Sequence, residues 1–215
     1  MATATDDLLT LSQWMSPAFP VSAYAYSQGL EVAVADGRLG DARAVEAWID
    51  GVLAAGSLRT DAVLLALTLR RIGKDGALAD LARALAGSAH RWRETRDQGA
   101  AFAETLWAMG ETSVPKVAYP VAMGIAARRL DLPVRTICGL FVQAGAASLV
   151  SAAVRLVPLG QAAGQGVLAR LAPAIAACAD AAAGADGPEV IAQAAFAADL
   201  AAMAHETLQP RLFRS

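Results

Sequence analysis

The sequence predicts an all-α protein, a single domain over residues 1–215 built as a bundle of about eight to ten helices. Three observations point there. Apolar residues make up 56% of the chain while Trp, Tyr and Phe together make only 6%, so the apolar excess is largely alanine, the strongest helix former and a poor strand residue. Cap residues, prolines and glycines recur at helical intervals, with apolar positions at 3/4 spacing between them. No stretch alternates apolar and polar with a period of two, and no repeat, low-complexity linker or composition shift marks a domain boundary.

The elements follow in order. Asp6 or Asp7 caps a short first helix that ends before Pro17. Asp41 caps ARAVEAWIDGVLAAG, in which Val45, Trp48, Ile49, Val52 and Leu53 share one face. Thr60 and Asp61 open AVLLALTLRRIG, with Arg70 and Arg71 in the last turn, where the helix dipole favours them, and Gly73 as the stop. Leu78, Leu81 and Leu85 mark a short helix ending near Gly87. Ser88 caps the long segment AHRWRETRDQGAAFAETLWAMG.

Pro120 suits the first turn of VAMGIAARRLD, and Pro133 does the same for an uncharged helix that stops before Pro158. QGVLARLAPAIAACADAAAG is a helix kinked at Pro173, and PEVIAQAAFAADLAAMAHETL is a last one starting at Pro188. Glycine and alanine on so many faces permit close helix approach with modest apolar area per contact. Burial in an oligomer is therefore expected to supply part of the stability.

Several function classes are excluded early. The uncharged run Thr136–Val154 is nineteen residues long, enough to span a bilayer. It carries Thr136, Gln143, Ser148, Ser151 and two glycines and has no Trp/Tyr belt, which favours the buried centre of a bundle. The opening MATATDDLLTLSQ has two aspartates and no basic region, so no signal peptide is expected. Cys138 and Cys178 sit in apolar segments and are expected to be buried thiols of a cytoplasmic protein rather than a disulfide. The net charge of −2 gives no attraction to nucleic acid or to an anionic membrane.

Catalytic groups are scarce. HETLQ, at 205–209, starts like a zinc-protease helix, but Gln209 stands where the second histidine is needed, and the only other histidine is His90. The pair His205–Glu206 then reads as the polar end of the last helix. GQAAGQG lacks the Lys-Ser/Thr of a phosphate loop, and neither cysteine has a histidine nearby to activate it. HRWRETRDQG reads as a solvated helix face with i,i+3 and i,i+4 pairs. No catalytic residue, cofactor or metal ligand is expected. What stands outside the bland pattern is Tyr24 and Tyr26 near a helix start, Arg155 ending an apolar helix, and the tail LQPRLFRS. Its mixture of Leu, Phe and Arg suits a segment that docks on a partner. An alternative is a helical enzyme or small-ligand binder with a pocket near Tyr24, Tyr26 and Arg155.

Four stretches carry a family resemblance: LSQWMSPAFPVSAYAYSQGLEVAVADGRL, YPVAMGIAARRLDLP, FVQAGAASLVSAAVRLVPLGQAAGQ and HETLQPRLFRS. In this order, over nearly the whole chain, they resemble the UreF family of urease accessory proteins. The resemblance implies an all-α, cytoplasmic, non-enzymatic chaperone in a nickel metallochaperone complex. Such a protein bridges UreD (also called UreH) and the GTPase UreG, regulates UreG, assists nickel insertion into apo-urease, and is a homodimer in the complex. It implies no cofactor and no nickel ligand of the chain's own.

Carried over by position, the resemblance implies partner-binding roles for Tyr24, Tyr26, Ser27, Glu31, Arg155, Arg211, Leu212, Phe213 and Arg214. Tyr24, Arg155 and Arg211 form the leading network, and the tail at 207–215 is expected to order when a partner binds. Ser22 stands where the family usually has glycine. If that position needs a positive φ, serine costs about 1 kcal/mol or more, or the turn is reshaped.

Overall fold

The structure, a computed structural model, describes residues 3–111 and 113–215. It is all-α, with eleven α-helices, three short 3-10 turns and no strand among the described residues. The first helix, α1 (Ala4–Trp14), is capped by Thr3 rather than by either aspartate. Asp6 is the reciprocal partner in the capping box, and Asp7 instead accepts from the Asp131 amide at 2.8 Å. A 3-10 turn (Ala23–Ala25) and the short α2 (Leu30–Ala35) follow.

Asp41 caps α3 (Ala42–Ala55) as expected, accepting from the Ala44 amide at 2.8 Å. Helix α4 (Ser57–Leu69) starts a turn before Thr60–Asp61. Those two side chains are taken by tertiary partners: Thr60 receives Gln193, and Asp61 receives Arg91. Then come α5 (Asp75–Ala84), α6 (Ala89–Ala108) capped by Ser88, α7 (Tyr119–Ala127) with Pro120 in its first turn, and α8 (Val134–Leu156) entered from Pro133. Pro173 divides the expected kinked helix into α9 (Gln161–Arg170) and α10 (Ala172–Ala183), bent by 46°. Counting that pair once gives ten helices.

The last helix is shorter than expected. Pro188–Val190 makes only a 3-10 turn, and α11 runs from Phe196 to Ala204. Tertiary bonds claim the intervening backbone. The amides of Ala194 and Ala195 donate to the Ala55 carbonyl at 2.9 and 3.3 Å, satisfying the end of α3. Gln193 Nε2 donates to Thr60 Oγ1 at 3.1 Å and to the Leu85 carbonyl at 3.0 Å. An orphaned helix-end carbonyl that gains two donors outweighs one more turn of an isolated helix.

Helices α4 and α8 form the centre. α4 is flanked by α3, α7, α8 and α10, and α8 meets α2, α3, α4, α9 and α10. Ala42–Leu69 and Val134–Leu156 are each apolar and long enough to cross a membrane, and here Ile137, Cys138, Phe141, Val142, Leu149 and Val150 of α8 are buried in the core. Close approach through small residues is literal at Gly124, where a Cβ would lie 2.7 Å from Thr68 Cβ across the α4–α7 contact. An aromatic layer centred on Phe102 closes one end. Trp14, Phe19 and Tyr119 stand 5.6–5.7 Å from it, the first and last edge-on, the geometry that ring quadrupoles favour. Both cysteines are free and buried, and burial pushes their thiols up to about 12 for Cys138 and about 11 for Cys178.

Candidate partner-docking surface

The segment before α2 is shaped by three consecutive demands on the backbone. Ser22 adopts the left-handed conformation (φ 58°) and starts the 3-10 turn, so the turn forms with serine in place. Gln28 is also left-handed, and its side chain fixes it, donating to Glu94 Oε1 at 2.8 Å and accepting from Ser57 Oγ at 2.8 Å. Gly29 has φ +84°, and a Cβ there would lie 2.7 Å from the Ala202 amide nitrogen. The start of α2 therefore rests directly on the α11 backbone.

That contact puts Glu31 under the end of the chain. Its carboxylate is buried and accepts three bonds: from the Leu212 amide at 2.6 Å, the Phe213 amide at 3.1 Å and His205 Nε2 at 2.9 Å. Burial alone would raise the Glu31 pKa, but the His205 bond and the two amides outweigh it and hold it below the usual carboxylate value. On the far side of the His205 ring, Nδ1 faces His90 Nδ1 at 3.3 Å. Burial lowers the His90 pKa, and the neighbouring charges of His205, Arg93 and Arg211 add to that against the opposing effect of Glu206.

The last residues form a strap across 24–31. Phe213 is 3% exposed, and the Arg155 guanidinium lies over its ring at 4.2 Å. Arg155 Nη2 also donates to the Tyr24 carbonyl at 2.6 Å. The Arg214 amide donates to the Ala25 carbonyl at 2.8 Å, and the Ser27 amide donates to the Ser215 main-chain oxygen at 2.7 Å. Ser215 itself is buried, with its hydroxyl 3.4 Å from Glu94. Burial pushes the Tyr26 phenol up, partly offset by a hydrogen bond with Arg214.

The sequence-derived residues divide accordingly. Tyr26, Ser27, Glu31 and Phe213 are buried and hold the strap, whereas Tyr24, Arg155, Arg211, Leu212 and Arg214 face solvent. Residues 212–215 take backbone bonds from Ala25, Ser27 and Glu31 of the same chain. Arg155 joins Tyr24 through the carbonyl rather than the phenol, and Arg211 joins neither. The alternative pocket is present in part. A groove of about 400 Å³ is lined by Tyr24 and Tyr26 together with Trp14, Phe19 and Phe141, but Arg155 is turned to the strap and takes no part in it.

Two expectations on polar stretches are corrected. His205 is fully buried instead of ending a helix in water. In HRWRETRDQG the positions His90, Glu94 and Gln98, four apart, face inward, leaving Arg93 and Arg96 outside. Arg91 pairs with Asp61 and, at 3.3 Å, with Glu94. Burial raises the Asp61 pKa against the pull of Arg91. Burial would lower that of Arg91, but its two carboxylate partners raise it instead. Among the described residues no group of three or more His, Cys, Asp or Glu is placed to hold a metal ion.

Sequence reasoning missed an exposed apolar stripe on α11. Phe196, Leu200 and Met203, spaced i, i+4, i+7, are 69%, 64% and 48% exposed, while Ala201 is buried against α2. The helix is inverted: its alanine face packs and its large side chains face water. Leu212 of the strap is 79% exposed as well. The signal was present in FAADLAAMA, where one stripe is all alanine, yet both stripes count as apolar in a periodicity test.

Comparison with known proteins gives one family. The UreF family model matches residues 39–172. The urease accessory protein UreF of Jannaschia sp. (strain CCS1) is 56% identical over 214 residues, 98% of this chain and 96% of that protein. The proteins of the same name from Cereibacter sphaeroides (strain ATCC 17023) and Dinoroseobacter shibae are 53% and 48% identical, covering 97% and 96% of this chain and 98% of each relative.

Proposed function

The chain belongs to the UreF family, and from that premise we propose that it is an accessory protein of urease maturation that works through protein interfaces and turns over no substrate of its own. It bridges UreD (UreH) and the GTPase UreG, regulates UreG, and assists nickel insertion into apo-urease, the nickel being cargo. The observation that carries this reading is the inverted α11, whose large apolar side chains are exposed. Burying one such side chain contributes roughly 1.5–3 kcal/mol, so a monomer that leaves three of them in water on one short helix presents a docking face. Leu212, Arg211 and Arg214 of the strap, also exposed, are of the residue types that anchor interfaces.

The homodimer of the proposed complex is assigned to a separate surface. The groove of about 400 Å³ is lined by the half-exposed face of α8 that carries Leu140, Ala144 and Ser148, the last two small enough for a second copy to approach closely. A cytoplasmic setting is proposed with it, in keeping with two buried free thiols.

The test is size exclusion with light scattering, for the protein alone, with UreD, and then with UreG added. The wild-type chain is expected to co-elute with UreD and recruit UreG, and the triple variant Phe196→Ser, Leu200→Ser, Met203→Ser is expected to lose UreD at least 100-fold with unchanged helicity. A wild-type chain that stays monomeric and ignores UreD would overturn the reading.

A further inference from the structure

The groove of about 400 Å³ reaches from the half-exposed face of α8 into the core, where Phe19, Leu58, Phe141 and Gln98 of its lining are each no more than 7% exposed. Its buried polar groups hold one another. Asp61 of α4 accepts from Arg91 of α6, Arg91 also meets Glu94, and Gln28 joins Glu94 to Ser57. One turn further along α6 the pattern stops. Among the described residues nothing donates to the Gln98 amide or accepts from it, although the side chain is buried in the lining. The Tyr119 phenol, at the start of α7, also lines the groove without a protein partner among the described residues. A buried amide is rarely left unpaired, because its lost hydration is then uncompensated. Whatever fills the groove at this point supplies the partner.

We propose that the groove is a small-molecule site for an uncharged compound with a planar, amide-like head and an apolar body, the head paired with Gln98 and Tyr119 and the body lying against Phe19, Leu58 and Phe141. Apolar walls with a few convergent polar groups, in a volume of about 300–1,000 Å³, are what small-molecule pockets share. The recognising groups differ from those expected of a pocket near Arg155, which takes no part in the lining.

The head follows from the two unpaired groups. The Gln98 amide offers an acceptor and two donors in one plane, and its complement is another such edge, as in a carboxamide or a lactam. Tyr119 adds an O–H donor for the carbonyl oxygen. Burial, with the Asp61 charge second, raises its pKa and keeps that proton in place. Charge decides against an anion. Two carboxylates, Asp61 and Glu94, share one guanidinium, Arg91, which leaves this end of the groove net negative. The body follows from the walls, where the Phe141 ring stands 5.5 Å from that of Tyr119 and offers an aromatic face to a flat ligand.

The site and the proposed homodimer do not compete for the same groups. A second copy on α8 meets the half-exposed rim at Leu140, Ala144 and Ser148, whereas Gln98 and Phe141 belong to the buried end. The elements that carry the buried end, α4, α6, α7 and α8, pack against one another in the centre of the bundle. The site rests on those elements and on no partner's identity.

The experiment titrates benzamide into the full chain and follows both ligand and protein by NMR. Saturable binding with a dissociation constant of about 10 mM or tighter is expected, with the Gln98 side-chain amide and the Tyr119 main-chain amide among the signals that shift. Gln98→Met keeps the length of the side chain and removes its hydrogen bonds, and should weaken benzamide by about tenfold or more. Benzoate has the same shape and one negative charge, and should bind the wild-type chain about tenfold more weakly than benzamide or worse. Ala144→Trp narrows the groove from its rim without touching Gln98, and should weaken benzamide as well. Benzamide that does not saturate, that binds Gln98→Met as well as wild type, or that is matched by benzoate would overturn the site. Should Gln98→Met fail to fold, the wild-type shifts decide, and shifts that leave Gln98 and Tyr119 unmoved would overturn it equally.

Discussion

Phe213 and Leu212 are neighbours with opposite assignments, and exchanging each for alanine separates holding the strap from presenting it. Phe213 is 3% exposed with the Arg155 guanidinium 4.2 Å from its ring centre, and Leu212 is 79% exposed. Phe→Ala at a buried site costs about 3–5 kcal/mol, of which the lost cation–π contact is about 1 kcal/mol because Arg155 itself is exposed. The strap can leave as a unit, so its own seating energy caps the loss seen in global unfolding. The seated fraction should therefore collapse while the melting temperature falls only a little. Leu212→Ala removes a side chain that touches water and should change seating by no more than about 0.5 kcal/mol. Hydrogen exchange of the 212–214 amides reads the first effect, and UreD co-elution reads the second. Expected are lost amide protection in Phe213→Ala, and full protection with weakened UreD binding in Leu212→Ala. Equal loss of protection in both variants would refute the division between anchor and face.

Two further substitutions probe the frame beneath the strap. Gly29→Ala forces a Cβ to within 2.7 Å of the Ala202 amide at a φ of +84°. The left-handed backbone costs about 1–2 kcal/mol and the overlap with α11 about as much again, so the melting temperature should drop by roughly 5–12 °C; a drop under about 2 °C would mean α2 does not rest on α11. Arg91→Ala leaves Asp61 and Glu94 buried without their shared cation, which should cost about 3–5 kcal/mol in urea denaturation at neutral pH. Much of that should return in acid, because the raised Asp61 pKa lets it take a proton and shed its charge. A loss that does not shrink with falling pH would contradict that assignment.

Local signals carried the helix ends. Asp41 and Ser88 cap where they were expected, because an Ncap bond closes over three residues and needs no tertiary partner. Pro120, Pro133 and Pro173 likewise act through their own φ and missing N–H. Apart from the α1 cap, which a local capping box moves to Thr3, the failures are tertiary. Residues 191–195 carry helical propensity, but the Ala55 carbonyl and the Thr60 hydroxyl claim their polar groups from outside. Thr60 and Asp61 have the chemistry of caps and are occupied by Gln193 and Arg91. HRWRETRDQG has the charge alternation of a solvated face, yet buries Glu94 because Gln28 and Arg91 meet it there.

The two halves of the candidate docking surface were legible for different reasons. Apolar and arginine residues mixed in LQPRLFRS mark the tail as unusual on physical grounds alone. The matching half, at 24–31, carries two tyrosines outside the helical pattern, and its proposed role rests on the family resemblance. What joins them is Glu31, which pairs with Leu212 across 181 positions, and no local pattern encodes such a separation.

When the strap becomes seated decides the energetics of partner binding. Ordering a free backbone costs about 1–2 kcal/mol per residue, so a tail of four residues fixed only on docking would take roughly 4–8 kcal/mol from the interface. A strap that takes its bonds from Ala25, Ser27 and Glu31 before docking would place that cost on folding instead. Glu31→Gln isolates the difference. The amide keeps the shape but replaces one of two accepting oxygens by a donor that faces the Leu212 N–H, so seating should weaken by roughly 2–3 kcal/mol, or 30- to 150-fold. If the partner takes the seated strap, UreD affinity should fall by a similar factor once the open form predominates; if the partner takes the free tail and reorders it, the same substitution should leave affinity unchanged or raise it.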